Sequence, residues 1–351
     1  MKDSPKILIV RLSSLGDILH TLPAFASLRE SFPGARIDWL AAPKSHSLLS
    51  AVPGISVLHT IDTAGMLRLK SVRSSWNLAV RLITELRLQK YDIAIDFQGL
   101  MKTALLCALS GSARRLGFGG SLVRERPADF FYHQTLEKPE RPVHVTVLNR
   151  MLAELAGARA AARHHDFSVS DDDVGAVNTM LAREQITDFI ILNPGGGWPT
   201  KRWHLQRFGA LAKTIREKMG LPVVVTTGPG EESYYRTIHE NSGGAAVHHF
   251  PVSFLQMIPL LKKALLLVGG DTGPFHLACA LETPVVGIFG PTSSVRNGLW
   301  NSVGEVVTLN YHCSPCHRRS CPSAIECMDI PVDTVMNAVV GVASGGRKET
   351  Y

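Results

Sequence analysis

LLLVGGDTGPFHLACALETPVVGIFGPT, residues 265–292, is the stretch from which the rest of the chain is best read. An apolar run stops at Gly269-Gly270, gives way to Asp271-Thr272-Gly273-Pro274, and resumes as a small-residue helix carrying His276 in its opening turns. The pattern is a strand, a tight turn and a helix N-terminus. In an open α/β sheet such a turn aims unsatisfied N–H groups at the mouth of a crevice, where free donors and helix dipole both favour a phosphate. Pro274 suits the first helical turn, where a missing N–H costs little. A second apolar strand, residues 284–289, ends in Gly290-Pro291-Thr292, so two neighbouring strand ends border one site. The expectation is a phosphate or nucleotide pocket in the C-terminal half.

Outward from there, strands and helices alternate in both directions. Upstream lie a helix at 174–185, a strand at 188–192 ending in Asn193-Pro194-Gly195-Gly196-Gly197, a helix at 206–219 and a strand at 222–227, then Gly228-Pro229-Gly230-Glu231-Glu232 and another helix. The N-terminal half opens on KILIVRL, residues 6–12, a near-continuous apolar run that suits a parallel strand covered on both faces. It ends at Ser13-Ser14-Leu15-Gly16-Asp17, before helical periodicity over 18–32. Further strands are expected at 36–41, 55–61, 91–97 and 115–118, and helices at 43–51, 72–89, 100–109 and 143–155. Residues 157–173 break the rhythm with an Ala/Arg/His run and three aspartates, which reads as a linker. The fold class is therefore α/β, two doubly wound halves facing across a cleft. The domains are placed at 1–165 and 174–330, with a C-terminal helix and tail at 331–351. A cleft between two such halves suits an enzyme that joins two substrates.

Composition narrows the partners. With 351 residues and 45% hydrophobic content the chain can bury two cores. No stretch offers the ~20 apolar residues of a membrane span and no secretory leader opens the sequence, so a cytosolic location is expected. The net charge of +7 is uneven: residues 1–170 hold 22 Lys/Arg against 14 Asp/Glu, and residues 171–351 hold 15 against 16. The basic half wants an acidic partner. Nucleic acid is disfavoured, because no helix-turn-helix, zinc-finger or RNA-binding signature is present and the 7% aromatic content gives no stacking platform. Eleven Lys/Arg against four Asp/Glu lie between Arg68 and Arg126, a solvated basic face by default. The alternative is a docking surface for an anionic acceptor, with Arg68, Lys70, Arg73, Lys102, Arg124 and Arg126 its candidates.

Individual residues carry two readings each. Asp17 either caps the helix after the first strand or stands as a general base able to reach a substrate hydroxyl. Lys201, four residues beyond three glycines, either is solvated or supplies charge to a phosphate approached by Gly196 and Gly197, although no Walker A sequence is present. Asp271 reads as a brace of its turn and His276 as a donor from the helix. Glu231 and Glu232 either open a helix or take the hydroxyls of a ribose. Four of six cysteines crowd into Cys313-x2-Cys316-x4-Cys321-x5-Cys327, either a thiol-rich loop or a structural metal clip that His312 or His317 could complete.

Together, ILIVRLSSLGDILHTLPA, YDIAIDFQGLMKTALL, TKRW and GGDTGPFHLACALETPVVGIFGPT, in this order over nearly the whole chain, resemble glycosyltransferase family 9, the lipopolysaccharide heptosyltransferases, most closely the heptosyltransferase I type. The resemblance implies a GT-B fold with two Rossmann-like domains, the first binding the acceptor and the second ADP-heptose. It implies Asp17 as catalytic base, Lys201 on the phosphates, Asp271, Thr272, Gly273 and His276 as the nucleotide-sugar signature, Glu232 (or Glu231) on the ribose and Val252 against the adenine. Gly196 and Gly197 stand where close relatives have hydroxyl residues. Ser14, Gly16, Gln98 and His144 join the basic residues as acceptor-side candidates. The acceptor is then the anionic Kdo region of lipid A, reached by peripheral contact at the cytosolic face of the inner membrane. The expected chemistry is a one-step inverting displacement by a monomer requiring no cofactor. Rivals are another family 9 transferase using a different ADP- or UDP-sugar, a GT-B sugar-nucleotide epimerase, which would leave the basic half unexplained, and a non-catalytic nucleotide-binding module. An NAD-dependent oxidoreductase fits poorly, since SSLGD and not G-x-G-x-x-G follows the first strand.

Overall fold

A computed structural model describes residues 4–63, 65, 72–159, 166–300, 302–322 and 325–345, the side chains of residues 72–75 excepted. The chain divides into two compact units, Met1–Ser168 and Val169–Tyr351. In the first, strands β1 (Lys6–Val10), β2 (Arg36–Ala41), β3 (Val57–Thr60), β4 (Ile93–Asp96), β5 (Arg114–Phe118) and β6 (Gln134–Leu136) lie in the order β3-β2-β1-β4-β5-β6. The pairings are parallel, with Ile7 opposite both Ile37 and Ile93. Ile7, Leu8, Ile9 and Val10 are fully buried, as expected of a central strand covered on both faces. The chain departs from β1 toward β2 on one side and returns to β4 on the other, which opens a crevice at the carboxyl ends of β1 and β4.

The second unit repeats this plan. Strands β7 (Ile190–Asn193), β8 (Val223–Val225), β9 (Val247–His249), β10 (Leu266–Gly270), β11 (Val285–Phe289) and β12 (Gly304–Thr308) lie in the order β12-β11-β10-β7-β8-β9. The switch falls between β7 and β10, paired in parallel with Val268 opposite Leu192. Gly287 lets the helix Gly273–Ala280 settle closely on β11, because a Cβ there would stand 2.8 Å from the Phe275 ring.

Three of the expected segments take a different form in the structure. The helix expected over 18–32 is two helices, Leu15–Leu19 and Leu22–Ser31, because Pro23 has no N–H to donate to the preceding turn. The three aspartates read as linker open the helix Asp171–Arg183, where the Ser170 hydroxyl accepts the Asp173 amide at 3.2 Å and the carboxylates complement the dipole. The C-terminal helix Val332–Gly345, set apart in the sequence, buries Val335, Met336 and Val339 in the second unit's core beside Ile288 and Leu211. β6, β9, β12 and the helix Met257–Lys263 were not expected at all.

Candidate active site

In the second unit the predicted donor residues gather beyond the carboxyl ends of β7 to β10. After β7, residues 194–198 turn back, and the short 3-10 turn Pro199–Lys201, begun by its proline, delivers Lys201. Its ammonium lies 2.7 Å from Asp271 Oδ2, 3.2 Å from the Asp271 carbonyl and 4.0 Å from the centre of the Trp198 ring. The other Asp271 oxygen is 2.8 Å from His276 Nε2, and Asn297 Nδ2 donates to Oδ2 at 3.2 Å. Burial would raise the Asp271 pKa, but the hydrogen bond and charge of His276 and the Lys201 ammonium prevail and hold the carboxyl far below its ordinary 3.8. An ionised carboxylate only accepts, so Nε2 carries the proton and is directed at Asp271. The brace expected of Asp271 is thus present, and the His276 donor expected from the helix is directed at it.

Thr272 is the N-cap of Gly273–Ala280. Its hydroxyl oxygen accepts the Phe275 amide at 3.5 Å, and the hydroxyl donates to Asn193 Oδ1 at 3.3 Å. Gly196 presents its carbonyl to Arg202, which donates through Nε at 3.2 Å and Nη2 at 3.0 Å, while Gly197 is open to solvent. Beyond β8 the two glutamates part company. Glu231 accepts the Gly228 amide at 3.0 Å, and its carboxylate stands 2.6 Å from where a Cβ on Gly195 would be. Glu232 turns back on the Gly230 amide at 3.1 Å and is exposed. Val252, half-buried, follows β9.

In the first unit, Asp17 occupies the crevice at β1 and β4. The carboxylate meets Arg11 Nη2 at 2.7 Å and Arg124 Nη2 at 3.2 Å, and accepts from the Ser14 amide at 3.2 Å and hydroxyl at 3.1 Å. Ser14, not Asp17, is therefore the N-cap, and Asp17 closes the first turn from its third position beside Gly16. Burial opposes ionisation, yet Arg11, Arg124, His20 and the Ser14 amide together hold the Asp17 carboxyl well below 3.8. Gln98 ties the strand ends together, its Oε1 accepting the Leu12 amide at 2.8 Å while its backbone N–H donates to Asp96 Oδ1 at 2.7 Å. His144 caps the helix Val145–Leu155 and packs its ring edge-on to His20, 5.4 Å between centres.

Of the acceptor-side candidates, Ser14 and Arg124 bond to Asp17 and Gly16 adjoins it in the chain, while Gln98 holds the Leu12 amide and His144 packs on His20. Lys102 and Arg126 are exposed and, among the described residues, make no bond to this cluster; Lys102 reaches Thr63 at 3.4 Å. Arg68 and Lys70 lie outside the described residues, as does the side chain of Arg73. Arg11, Asn193, Arg202 and Asn297 carry site contacts that sequence reasoning missed. The signal for Arg11 was a charge ending an apolar strand, and for Arg202 its place within TKRW.

Cys313, Cys316, Cys321 and Cys327 line one pocket with Thr200, Pro291 and Tyr311. Among the described residues no group of three His, Cys, Asp or Glu side chains is arranged to hold a metal ion, and no helix is long and apolar enough to cross a membrane.

A family model described as Glycosyltransferase family 9 (heptosyltransferase) matches residues 79–325. The chain is 28% identical over 339 residues to lipopolysaccharide heptosyltransferase 1 of Pseudomonas aeruginosa, covering 90% of this chain and 87% of that protein. The solved family 9 glycosyl transferase of Veillonella parvula superposes with a TM-score of 0.79 at 18% identity, covering 98% of this chain and 99% of the other. E. coli heptosyltransferase WaaC with ADP superposes at 0.74 and 21% identity, covering 96% and 99%. Sequence and fold agree: the chain belongs to glycosyltransferase family 9, the heptosyltransferase family, and is a glycosyltransferase of GT-B fold.

Proposed function

We propose that the chain transfers heptose from ADP-heptose to the Kdo region of a lipid A acceptor in lipopolysaccharide core assembly, with inversion at the anomeric carbon. The observation that carries this reading is the cluster of Lys201, Asp271 and Thr272 around the glycine turn at the second sheet's switch point. It opens the helix Gly273–Ala280, whose N-terminal amides favour an anion, in a chain whose structural relative is solved with ADP. Over that sheet, Val252 beyond β9 would line the adenine. Glu231, better placed than Glu232, would take the ribose, and the diphosphate would run toward β7 and β10. Lys201 and the helix N-terminus of Gly273–Ala280 then offset the charge that develops on the departing ADP.

Asp17 would remove the proton from the acceptor hydroxyl as that oxygen attacks. In the resting site it is a weak base, because two arginines favour its ionised form. Arg11 is fixed, its side chain 4% exposed and Nη1 donating to the Phe97 carbonyl, whereas the Arg124 side chain is 43% exposed. An anionic acceptor that draws Arg124 onto its own carboxylate or phosphate would leave Asp17 a stronger base at the moment a hydroxyl is presented. The basic first half supports such an acceptor, and peripheral attachment at the cytosolic face of the inner membrane would bring the two together.

The test is ADP release from ADP-heptose with and without Kdo2-lipid A, for the wild type and Asp17→Asn. Acceptor-dependent release that the variant loses supports the reading. Release only from another sugar nucleotide points elsewhere in family 9, and donor consumption without acceptor points to an epimerase or hydrolase.

A further inference from the structure

The cysteine loop, residues 313–321, is anchored on the donor site at two points. The His317 amide donates to the Pro291 carbonyl at 2.8 Å, just past β11, and the Thr200 hydroxyl donates to the Arg318 carbonyl at 2.7 Å, within the turn that delivers Lys201. The four thiols back this loop in the pocket they share with Thr200 and Pro291. So held, the loop sets the Arg319 guanidinium 5.3 Å from the centre of the Trp198 ring, the same indole that Lys201 approaches at 4.0 Å. Each cation is drawn to the indole face, but the two repel one another there, one residue past the glycine turn, and an anion between them would offset that repulsion.

The charge balance favours the same conclusion. Lys201 is already matched by Asp271 in a nearly buried pair, with side chains 11% and 5% exposed. A diphosphate therefore needs a cation that Asp271 does not hold, and Arg319 is exposed beside it. Its planar fork suits two phosphate oxygens at once.

We propose that Arg319, carried on the cysteine loop, is a second diphosphate-binding cation of the donor site, acting beside Lys201 on the phosphate distal to the adenosine. The inference rests on the donor-site reading above. With adenosine over β8 and β9, a loop anchored at β11 and at the Lys201 turn reaches the distal phosphate and not the proximal one.

The experiment is calorimetric binding of ADP and AMP to the wild type, Arg319→Ala, Arg319→Lys and Lys201→Ala, with exposed Arg216→Ala as control. Arg319→Ala is expected to weaken ADP roughly tenfold, the size of one charge-assisted contact, while AMP changes less than about twofold and Arg319→Lys falls between. ADP affinity unchanged in Arg319→Ala while Lys201→Ala weakens it would overturn the inference alone. Equal loss for AMP and ADP would overturn it as well, because the effect would then not belong to the distal phosphate. A wild type that binds neither nucleotide removes the donor-site reading itself.

Discussion

Asp17 and Asp271 stand on corresponding ground, each beyond a strand that borders its sheet's switch point, and each is held ionised by two flanking side chains. Their settings differ. Asp271 is 5% exposed between Lys201 and His276, at 11% and 4%, with Asn297 also donating to it. Asp17 is 18% exposed, and one of its cations, Arg124, is 43% exposed. The first arrangement is a brace that cannot change partners without leaving charge unpaired in the interior. The second can exchange one partner with solvent or ligand. A carboxylate at a strand end thus serves as scaffold or reagent according to how many of its partners are free to leave.

The sharpest way to break this comparison is Asp17→Asn. It keeps the shape and removes the base, and kcat should fall by roughly 10²–10⁴-fold while ADP affinity is unchanged. A variant that retains wild-type turnover would make Asp17 a second scaffold carboxylate. Asp271→Asn should invert the pattern, costing about 3–5 kcal/mol of stability in denaturant melts, against about 1–2 kcal/mol for Asp17→Asn. The folded pKa of Asp271 lies below its ordinary 3.8, so its contribution is fully present above about pH 4 and is lost as pH falls through the lowered value. The stability gap between wild type and Asp271→Asn should therefore be flat from pH 7 to about 5 and narrow in stronger acid.

Arg124→Ala sharpens the comparison from the other side. Removing a cation that favours the ionised form raises the Asp17 pKa, so the acid limb of kcat/KM should move up by about one pH unit, with a higher KM for the acceptor. The smallest effect is expected of Thr272→Ala, which removes the cap of Gly273–Ala280 and should cost about 1 kcal/mol of stability, with a modest rise in KM for the donor and a smaller change in kcat.

How much of this was readable in advance follows from burial and distance along the chain. β1, β10 and β11 announced themselves because central parallel strands are apolar on both faces. β6 and β9 are edge strands of three residues, QTL and VHH, whose polar side chains erase that signal. The glycine turns and Asp271-Thr272-Gly273-Pro274 carried their own local meaning. Arg124 lies 107 residues from Asp17, so no spacing rule could pair them. Adjacent Glu231 and Glu232 were indistinguishable until the helix start at Glu232 made Glu231 the cap and turned it toward Gly195.

That last contact joins two positions far apart in the chain. A side chain at position 195 would collide with the Glu231 carboxylate, 2.6 Å from its Cβ, and the carboxylate in turn holds the Gly228 amide. A replacement of Gly195 therefore costs the fold little, because the end of a flexible side chain can swing aside, but it displaces the Glu231 carboxylate from the Gly228 amide and with it the ribose contact proposed for that residue.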